Sequence, residues 1–295
     1  MKQIKNKQYW EEADRSWSED SIWFSNTASP SARQTFFYVQ EVGYFKTIPP
    51  YYTERANLNS FLIFCTLSGK GILTLNNSIH ELLPGTIAFI NCMDYHHYQC
   101  APDHEWEFLW LHFHGPSALG YYENFIKNGF RICHDTKEHF IEGLMQNILN
   151  TTQKKDIHSE IIVSNLITDL LTHLLISSST EDSRLDVMPE YLKNVTKKID
   201  QDFTEPLSLD DLAREFGISK YHLSREFKRY MGTTINEYLT LTRLNYAKEL
   251  LKYTSQTVEQ AAFSCGFHHV SHFINVFKAH ESLTPLQFKK EWGKT

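Results

Sequence analysis

The sequence predicts a multidomain α+β protein: an N-terminal β-barrel with flanking helices, followed by an all-α domain. The length of 295 residues is enough for two domains of ordinary size. Short β-branched or aromatic runs occupy residues 36–113, and a helical period takes over from about Thr136. We therefore expect a first domain at 1–176, a polar linker at 177–188 and a second domain at 189–295.

Composition and termini indicate a cytoplasmic protein. Apolar and charged residues make up 41% and 22% of the chain, which is typical of a soluble globular protein. The N-terminus lacks the apolar stretch of a signal peptide, and polar side chains interrupt the most apolar run, 157–176, so we expect no membrane span. The five cysteines show no C-x-x-C spacing, so we expect reduced thiols.

Charge differs between the two predicted halves. Residues 1–188 hold 14 Lys and Arg against 22 Asp and Glu, a net charge of -8, whereas residues 189–295 hold 15 against 13, a net charge of +2. The two values sum to the -6 of the whole chain. We expect the halves to have different partners.

The front half reads as a series of short strands separated by turns, a pattern typical of a barrel or sandwich. The expected strands are 36–45, 60–67, 71–75, 85–90 and 108–113. The expected turns are Pro49-Pro50, Ser68-Gly69, Asn76-Asn77 and Pro84-Gly85.

Helices are predicted at 137–150 and 157–176. In the second of these, an apolar seam one helix wide is formed by Val163, Ile167, Leu170 and Leu174. The seam either packs on the chain's own barrel or pairs with the same helix of a second chain. Both can hold on different faces of the helix.

The C-terminal half contains a repeat, because the segment 208–238 returns as 257–288. Each copy opens with a predicted capping box, Ser208 to Asp211 and Thr257 to Gln260. A glycine follows in each copy, Gly217 and Gly266, and glycine favours a sharp turn at positive φ. We therefore predict two helix-turn-helix units joined by a helix from Thr234 to about Lys252.

The second helix of the first unit has a basic face opposite an apolar stripe. The outward residues are Lys220, Tyr221, Ser224, Arg225 and Lys228, and the inward ones are Ile218, Leu223 and Phe227. Arginine can pair with guanine through two hydrogen bonds, while lysine attracts phosphate at any sequence. This pattern is typical of a recognition helix.

These units resemble the AraC family of bacterial transcription regulators over about residues 189–292. The first unit matches through residues such as Leu223, Phe227 and Gly232, and the second through Gly266-Phe267, Phe277-Lys278 and Thr284-Pro285. Two departures are Asn275, where the family usually has arginine, and Ser282, where it usually has glycine. The resemblance implies contacts with successive major grooves. The implied DNA-binding residues are Ser219, Lys220, Tyr221, Ser224, Arg225, Lys228, His269, Ser271, His272 and Asn275.

Residues 67–115 resemble the cupin-type effector domain that precedes this unit in sugar-responsive members of the family. Strand alternation puts Trp106, Phe108, Trp110, His112 and His114 on one face, which we expect to line the barrel interior. The opposite face holds Glu107, Leu109, Leu111 and Phe113, and its wholly apolar members are better suited to lie under the helices. A filled aromatic core without a pocket is the alternative.

In the related arabinose sensor, positions similar to Arg55, Tyr98 and Trp110 contact the ligand, and an N-terminal arm covers it. The resemblance implies that residues 17–24 form this arm. Indole, phenol and imidazole groups can stack on a sugar and bind its hydroxyls. The expected effector-binding residues are Arg55, His96, Tyr98, Trp106, Phe108 and Trp110. Phe108 stands where that sensor has a polar residue, which argues against arabinose.

A competing hypothesis is a metal-dependent cupin enzyme fused to a DNA-binding domain, because His96, His97, His112 and His114 lie on neighbouring strands. The usual H-x-H with a nearby glutamate is absent between Gly71 and Pro84, so we expect no metal, no cofactor and no catalysis. A regulator of a non-sugar metabolite is a further alternative. An architectural DNA-binding protein is disfavoured, because it needs no barrel.

We therefore predict a sequence-specific DNA-binding transcription regulator controlled by a small-molecule effector, a sugar or glycoside. The expected partners are double-stranded DNA, the carbohydrate effector and a second copy of the chain, with RNA polymerase as a further candidate.

Overall fold

The computed structural model describes residues 8–75, 78–127, 132–134, 139–156, 158–180 and 188–293. It divides into two compact units, Met1–Leu185 and Asp186–Thr295. The predicted Asn76-Asn77 turn, the helical onset near Thr136 and most of the predicted linker lie outside the described residues.

The first unit contains eleven strands and four helices in its described part. The strands are β1 Trp10–Asp14, β2 Ile22–Ser25, β3 Tyr38–Thr47, β4 Tyr52–Ala56, β5 Phe61–Gly69, β6 Gly71–Leu75, β7 Ser78–Leu82, β8 Thr86–Asn91, β9 His96–Cys100, β10 Trp106–His114 and β11 Ile132–His134. The helices are α1 Pro30–Thr35, α2 Ala118–Ile126, α3 Phe140–Lys154 and α4 Ser159–Thr180.

The strands form two antiparallel sheets, and the predicted fold class is confirmed. One sheet has the order β1-β4-β9-β6-β7, and the other has the order β11-β8-β5-β10-β3-β2. The β1, β2, β4, β7, β9 and β11 strands were not among the predicted runs. The predicted runs are rich in apolar or aromatic residues. Strands such as β1 and β4 carry charged side chains, and they are fixed by pairing with distant segments.

The two faces of the larger sheet have different partners, as the alternation along β10 predicts. Trp106, Phe108 and Trp110 lie in the aromatic cluster between the two sheets. Leu109 and Leu111 lie in the cluster that the sheet shares with α2, α3 and α4. The helices therefore cover the outer face of this sheet and leave its inner face to the other sheet.

The seam of α4 packs on the chain's own first unit. Its members Val163, Ile167, Leu170 and Leu174 are buried in the cluster between helices and sheet. The helix extends to Thr180, so the first residues of the predicted linker are helical, since the serines there do not interrupt its backbone hydrogen bonding.

Among the described residues, one segment is long and apolar enough to cross a membrane by length and composition alone. It is Ser159–Ser177 within α4, with 33% of its most apolar window buried. A core helix of a globular protein meets the same criterion, so this is weak evidence for a membrane span.

The described part of the second unit consists of helices, and its two halves share one of them. The helices are α5 Glu190–Asp202, α6 Leu209–Glu215, α7 Lys220–Met231, α8 Ile235–Tyr253, α9 Val258–Ser264, α10 Val270–Glu281 and α11 Pro285–Trp292. Ile235 and Leu239 at the start of α8 belong to the core around Phe227. Leu244 and Leu251, further along α8, belong to the core around α10. The predicted linker helix is thus part of both cores.

Both predicted glycine turns are confirmed. Gly217 has φ +65° and Gly266 has φ +82°, in the left-handed region that glycine enters without a steric penalty. The following helix begins at Lys220 in the first unit and at Val270 in the second. The second turn is therefore one residue longer, in agreement with the lengths of the two copies, because 257–288 has one residue more than 208–238.

The predicted capping boxes differ in detail. Thr257 and Gln260 form a reciprocal capping box. In the first unit, the Ser208 hydroxyl accepts a hydrogen bond from the Asp211 amide at 3.1 Å. The Asp211 carboxylate accepts from the same hydroxyl instead of from the Ser208 amide. Aspartate is one methylene too short to reach the capping residue's amide, so this prediction was only half right. Ser282 adopts the left-handed conformation expected of the usual glycine, with φ +60°.

Candidate functional site

A cavity of about 940 Å³ opens in the first unit. Its wall combines inner-face residues of both sheets with residues from the N-terminal segment. Its lining residues include Tyr9, Glu11, Trp17, Trp23, Gln40, Phe45, Arg55, Ser60, Tyr98, Phe108, Trp110 and His112. This volume is at the upper end of the range for small-molecule sites, which is about 300–1,000 Å³. The alternative of a filled core without a pocket is wrong.

Trp110 lies flat against a glycine on the neighbouring strand. It pairs with Gly43 of β3, and a Cβ on that glycine would approach the Trp110 ring to 2.8 Å and the Ile22 carbonyl oxygen to 2.6 Å. The absence of a Cβ at Gly43 therefore permits both the position of the Trp110 ring and the pairing of β2. Within the described part of the chain, the buried Trp110 Nε1 has no hydrogen-bond acceptor.

Arg55 enters the cavity from β4 and is held on three sides. Its NH1 donates to Nε2 of His112 at 2.8 Å, and its NH2 donates to the Tyr98 hydroxyl at 3.2 Å. Its Nε lies 3.3 Å from a carboxylate oxygen of Glu11, which belongs to β1. The guanidinium is therefore oriented before any ligand binds.

His112 is a neutral acceptor in this arrangement. Burial, and then the charge of Arg55, lowers its pKa well below the ordinary imidazole value. Because Nε2 accepts from Arg55, the ring proton is on Nδ1, which lies 2.9 Å from the Ser60 hydroxyl. Ser60 and His112 thus fix the position of Arg55.

The N-terminal segment contributes to the cavity wall, and Trp17 and Trp23 of the predicted arm, residues 17–24, lie there. Trp17 stacks on Phe45 at a centroid distance of 4.7 Å and meets Trp23 edge to face at 5.6 Å. β1 is an edge strand of one sheet and β2 is an edge strand of the other. The chain between them therefore crosses from sheet to sheet at the cavity wall.

The segment that follows β2 connects the cavity wall to α4. Asn26 and Ala28 line the cavity. Next along the chain, the Ser29 amide donates to Glu160 at 2.7 Å, and its hydroxyl donates to the other carboxylate oxygen at 2.6 Å. The amide of Phe37 donates to Ser164 at 3.1 Å. These contacts join residues that are far apart in sequence, and no local pattern signals them.

Arg55, Tyr98, Phe108 and Trp110 line the cavity as predicted from the sequence. Trp106 does not line it. Its buried ring stacks on Phe108 at 3.8 Å, and its indole nitrogen donates to Thr66 at 3.2 Å. Trp106 is therefore a core residue at the far end of β10.

Of the four histidines predicted on neighbouring strands, His112 lines the cavity, and His96, His97 and His114 do not. His96 is buried away from the cavity, with Nδ1 2.9 Å from the Asp94 carbonyl oxygen. His97 lies beside Tyr52. His114 lies at the end of β10, where a bulge after His112 shifts the register against β3, and it does not line the cavity.

Sequence reasoning missed Glu11, Gln40 and Ser60. Glu11 and Ser60 contact the Arg55–His112 pair through strand pairing and a loop. Gln40 has a buried carbonyl oxygen for which the described residues provide no donor. No motif marks these positions, because each depends on distant strands that meet in space.

The predicted DNA-facing residues lie on the outer surface of the second unit. All ten are exposed except Ser224, which is half-buried, and Leu223 and Phe227 are buried on the opposite face of α7. The Ser219 hydroxyl caps α7 by accepting from the His222 amide at 3.2 Å. Lys220 forms an ion pair with Asp210 of α6 at 2.9 Å. The two recognition helices therefore present the predicted faces to solvent.

Comparison with known proteins agrees with this arrangement. The AraC-like ligand binding domain matches residues 38–171, and a helix-turn-helix domain matches residues 212–291. A sheet-lined cavity and two helix-turn-helix units together define a DNA-binding transcription regulator with a ligand-binding domain. The chain belongs to the AraC family of transcription regulators.

Individual relatives are distant. The Msm operon regulatory protein of Streptococcus mutans is 24% identical over 79% of this chain and 85% of its own length. An uncharacterized HTH-type regulator of Staphylococcus aureus is 24% identical over 80% of this chain, which spans only 32% of that protein. An AraC-type regulator structure from Chromobacterium violaceum is 34% identical over 35% of this chain and 93% of its own, with a TM-score of 0.33.

Two buried imidazoles predict pH-dependent stability of the first unit. Burial lowers the pKa of His96 to about 4, and the pKa of His112 is also depressed. In the unfolded chain, both rings take up a proton as the pH falls through about 6.5. The unfolded state then binds more protons than the folded state, so the free energy of unfolding decreases as the pH falls from about 6.5 toward 4.

Urea unfolding followed by tryptophan fluorescence between about pH 7.5 and 5 measures this. We expect His96→Asn to reduce the loss of stability at the acid end by about 1–2 kcal/mol. The asparagine can still donate to the Asp94 carbonyl. An equal loss in both proteins would show that His96 does not titrate as described.

Proposed function

We propose that this chain is a cytoplasmic regulator whose binding to specific DNA is controlled by a neutral, polyhydroxylated effector, a sugar or glycoside. The observation that carries this proposal is a cavity wall that combines the Trp110 indole, whose N–H has no acceptor among the described residues, with the oriented guanidinium of Arg55. Aromatic surfaces beside a few directed donors discriminate between patterns of hydroxyl groups. The effector would occupy the cavity beneath Trp17 and Trp23.

The proposal includes a homodimer that forms through α4. Its seam is used within the chain, but Ile161, Ile162 and Ile176 of the same helix are exposed. Exposed apolar side chains on one helix are suited to pairing with a second copy. Glu160, which binds Ser29 directly after the cavity-lining Ala28, precedes Ile161. Effector binding would act on the dimer, and through it on DNA and on RNA polymerase.

Thermal-shift measurements on the full chain test the effector. The panel contains neutral monosaccharides, disaccharides and aryl glycosides, together with uronic acids and apolar metabolites. We expect a neutral sugar to raise the melting temperature and to bind with micromolar to millimolar affinity, about 4–8 kcal/mol. Trp110→Leu should remove most of this affinity. Stabilisation by an anionic or apolar compound alone would disprove the sugar assignment and leave the sensor role intact.

Selection from a pool of random DNA duplexes tests the proposed DNA contacts. Arg225→Ala should weaken binding to the selected duplex by about 1–3 kcal/mol and relax the preference at one base pair. Lys228→Ala should weaken selected and random duplexes alike, because a phosphate contact carries no base information. Equal losses on both duplexes for Arg225→Ala would rule out base reading by this residue.

A further inference from the structure

A buried carboxylate lies on the DNA-facing helix. Glu226 of α7 is only 8% exposed, although its neighbour Arg225 is exposed. Within residues 188–293, no other charged side chain is buried to this degree. A buried carboxylate is costly unless positive charge and hydrogen bonds compensate for it. Its partners are therefore informative about its role.

Two arginines of the same helix contact Glu226. One carboxylate oxygen accepts from Nε of Arg225 at 3.3 Å, and the other lies 3.6 Å from NH1 of Arg229. Tyr191 of α5 lies nearby: burial raises its pKa, and the charge of Glu226 raises it further. The carboxylate is thus located between the DNA-facing surface of α7 and the helix behind it.

The contact with Glu226 leaves the two terminal amino groups of Arg225 available for contact with a base. Only its Nε is bound by Glu226, and the described residues provide no hydrogen-bond acceptor for its two terminal amino groups. Those groups can donate together to O6 and N7 of guanine. The guanidinium carbon also lies 6.0 Å from the centroid of the Tyr221 ring. An arginine held in this way loses less conformational entropy when it binds a base.

We propose that Glu226 is a positioning residue that orients Arg225 toward one guanine of the DNA site. This inference depends on the DNA-binding function proposed above. The carboxylate has a second effect, because a negative charge beside the DNA-facing surface weakens attraction to phosphate at every sequence. Glu226 therefore increases specificity in two ways: it strengthens binding to the correct site and weakens binding elsewhere.

The test compares the wild-type chain with Glu226→Gln, which keeps the shape of the side chain but removes its charge. The probes are a duplex selected by the wild-type chain from a random pool and the unselected pool itself. We expect Glu226→Gln to bind the selected duplex more weakly by up to about tenfold and to bind the pool as tightly as the wild type or more tightly. Repeated selection should show a weaker preference at one guanine.

Two further variants separate positioning from folding and from net charge. In an Arg225→Ala background, Glu226→Gln should cause no additional loss on the selected duplex. Glu249→Gln makes the same charge change at an exposed position of α8 and should retain the wild-type ratio of selected to random binding. Equal weakening of both probes by Glu226→Gln, an undiminished effect without Arg225, or no loss at all would overturn the proposal. Failure of the wild-type chain to select any duplex would instead overturn the DNA-binding function.

Discussion

The structure of the first unit depends on the alternation of side chains along β10. This strand lies inside the larger sheet, between β5 and β3. Its aromatic residues Phe108 and Trp110 face the other sheet and line the cavity, while Leu109 and Leu111 lie against the helices. A register shift of one residue would exchange these faces. The same strand therefore determines both the binding cavity and the site where α4 packs.

The cavity wall is completed by segments that also make contacts elsewhere. β1 brings Glu11 to Arg55, so a carboxylate of an edge strand balances the charge of the buried guanidinium. The segment after β2 lines the cavity and is fixed to α4 through Ser29 and Glu160. A ligand that displaces the segment after β2 would change contacts at the helix proposed to form the dimer. The proposed connection between effector and dimer is thus a short run of hydrogen bonds.

The parts of this architecture that the sequence predicts are those with local signals. The repeat, its glycine turns and the faces of α7 follow from periodicity within about twenty residues, and they are confirmed. The cavity was only partly predictable: Trp110 and Arg55 were correctly placed on its wall, but Trp106 and His96 belong to the core. Strand alternation predicts the face of a residue but not its depth. Whether a residue lines the cavity or lies in the core depends on which distant strands pair, and an alternating pattern does not predict that pairing.

Hydrogen exchange on the full chain tests directly whether an effector binds beneath the N-terminal segment and acts on α4. The probe is the sugar that raises the melting temperature most. We predict slower exchange in Trp10–Asp14, in Ile22–Ser25 and at the start of α4 when the sugar is bound. The first two segments contribute to the cavity wall, and Glu160 at the start of α4 binds Ser29, which follows the cavity-lining Ala28. Unchanged exchange in all three segments, with protection confined to residues 188–293, would contradict this prediction.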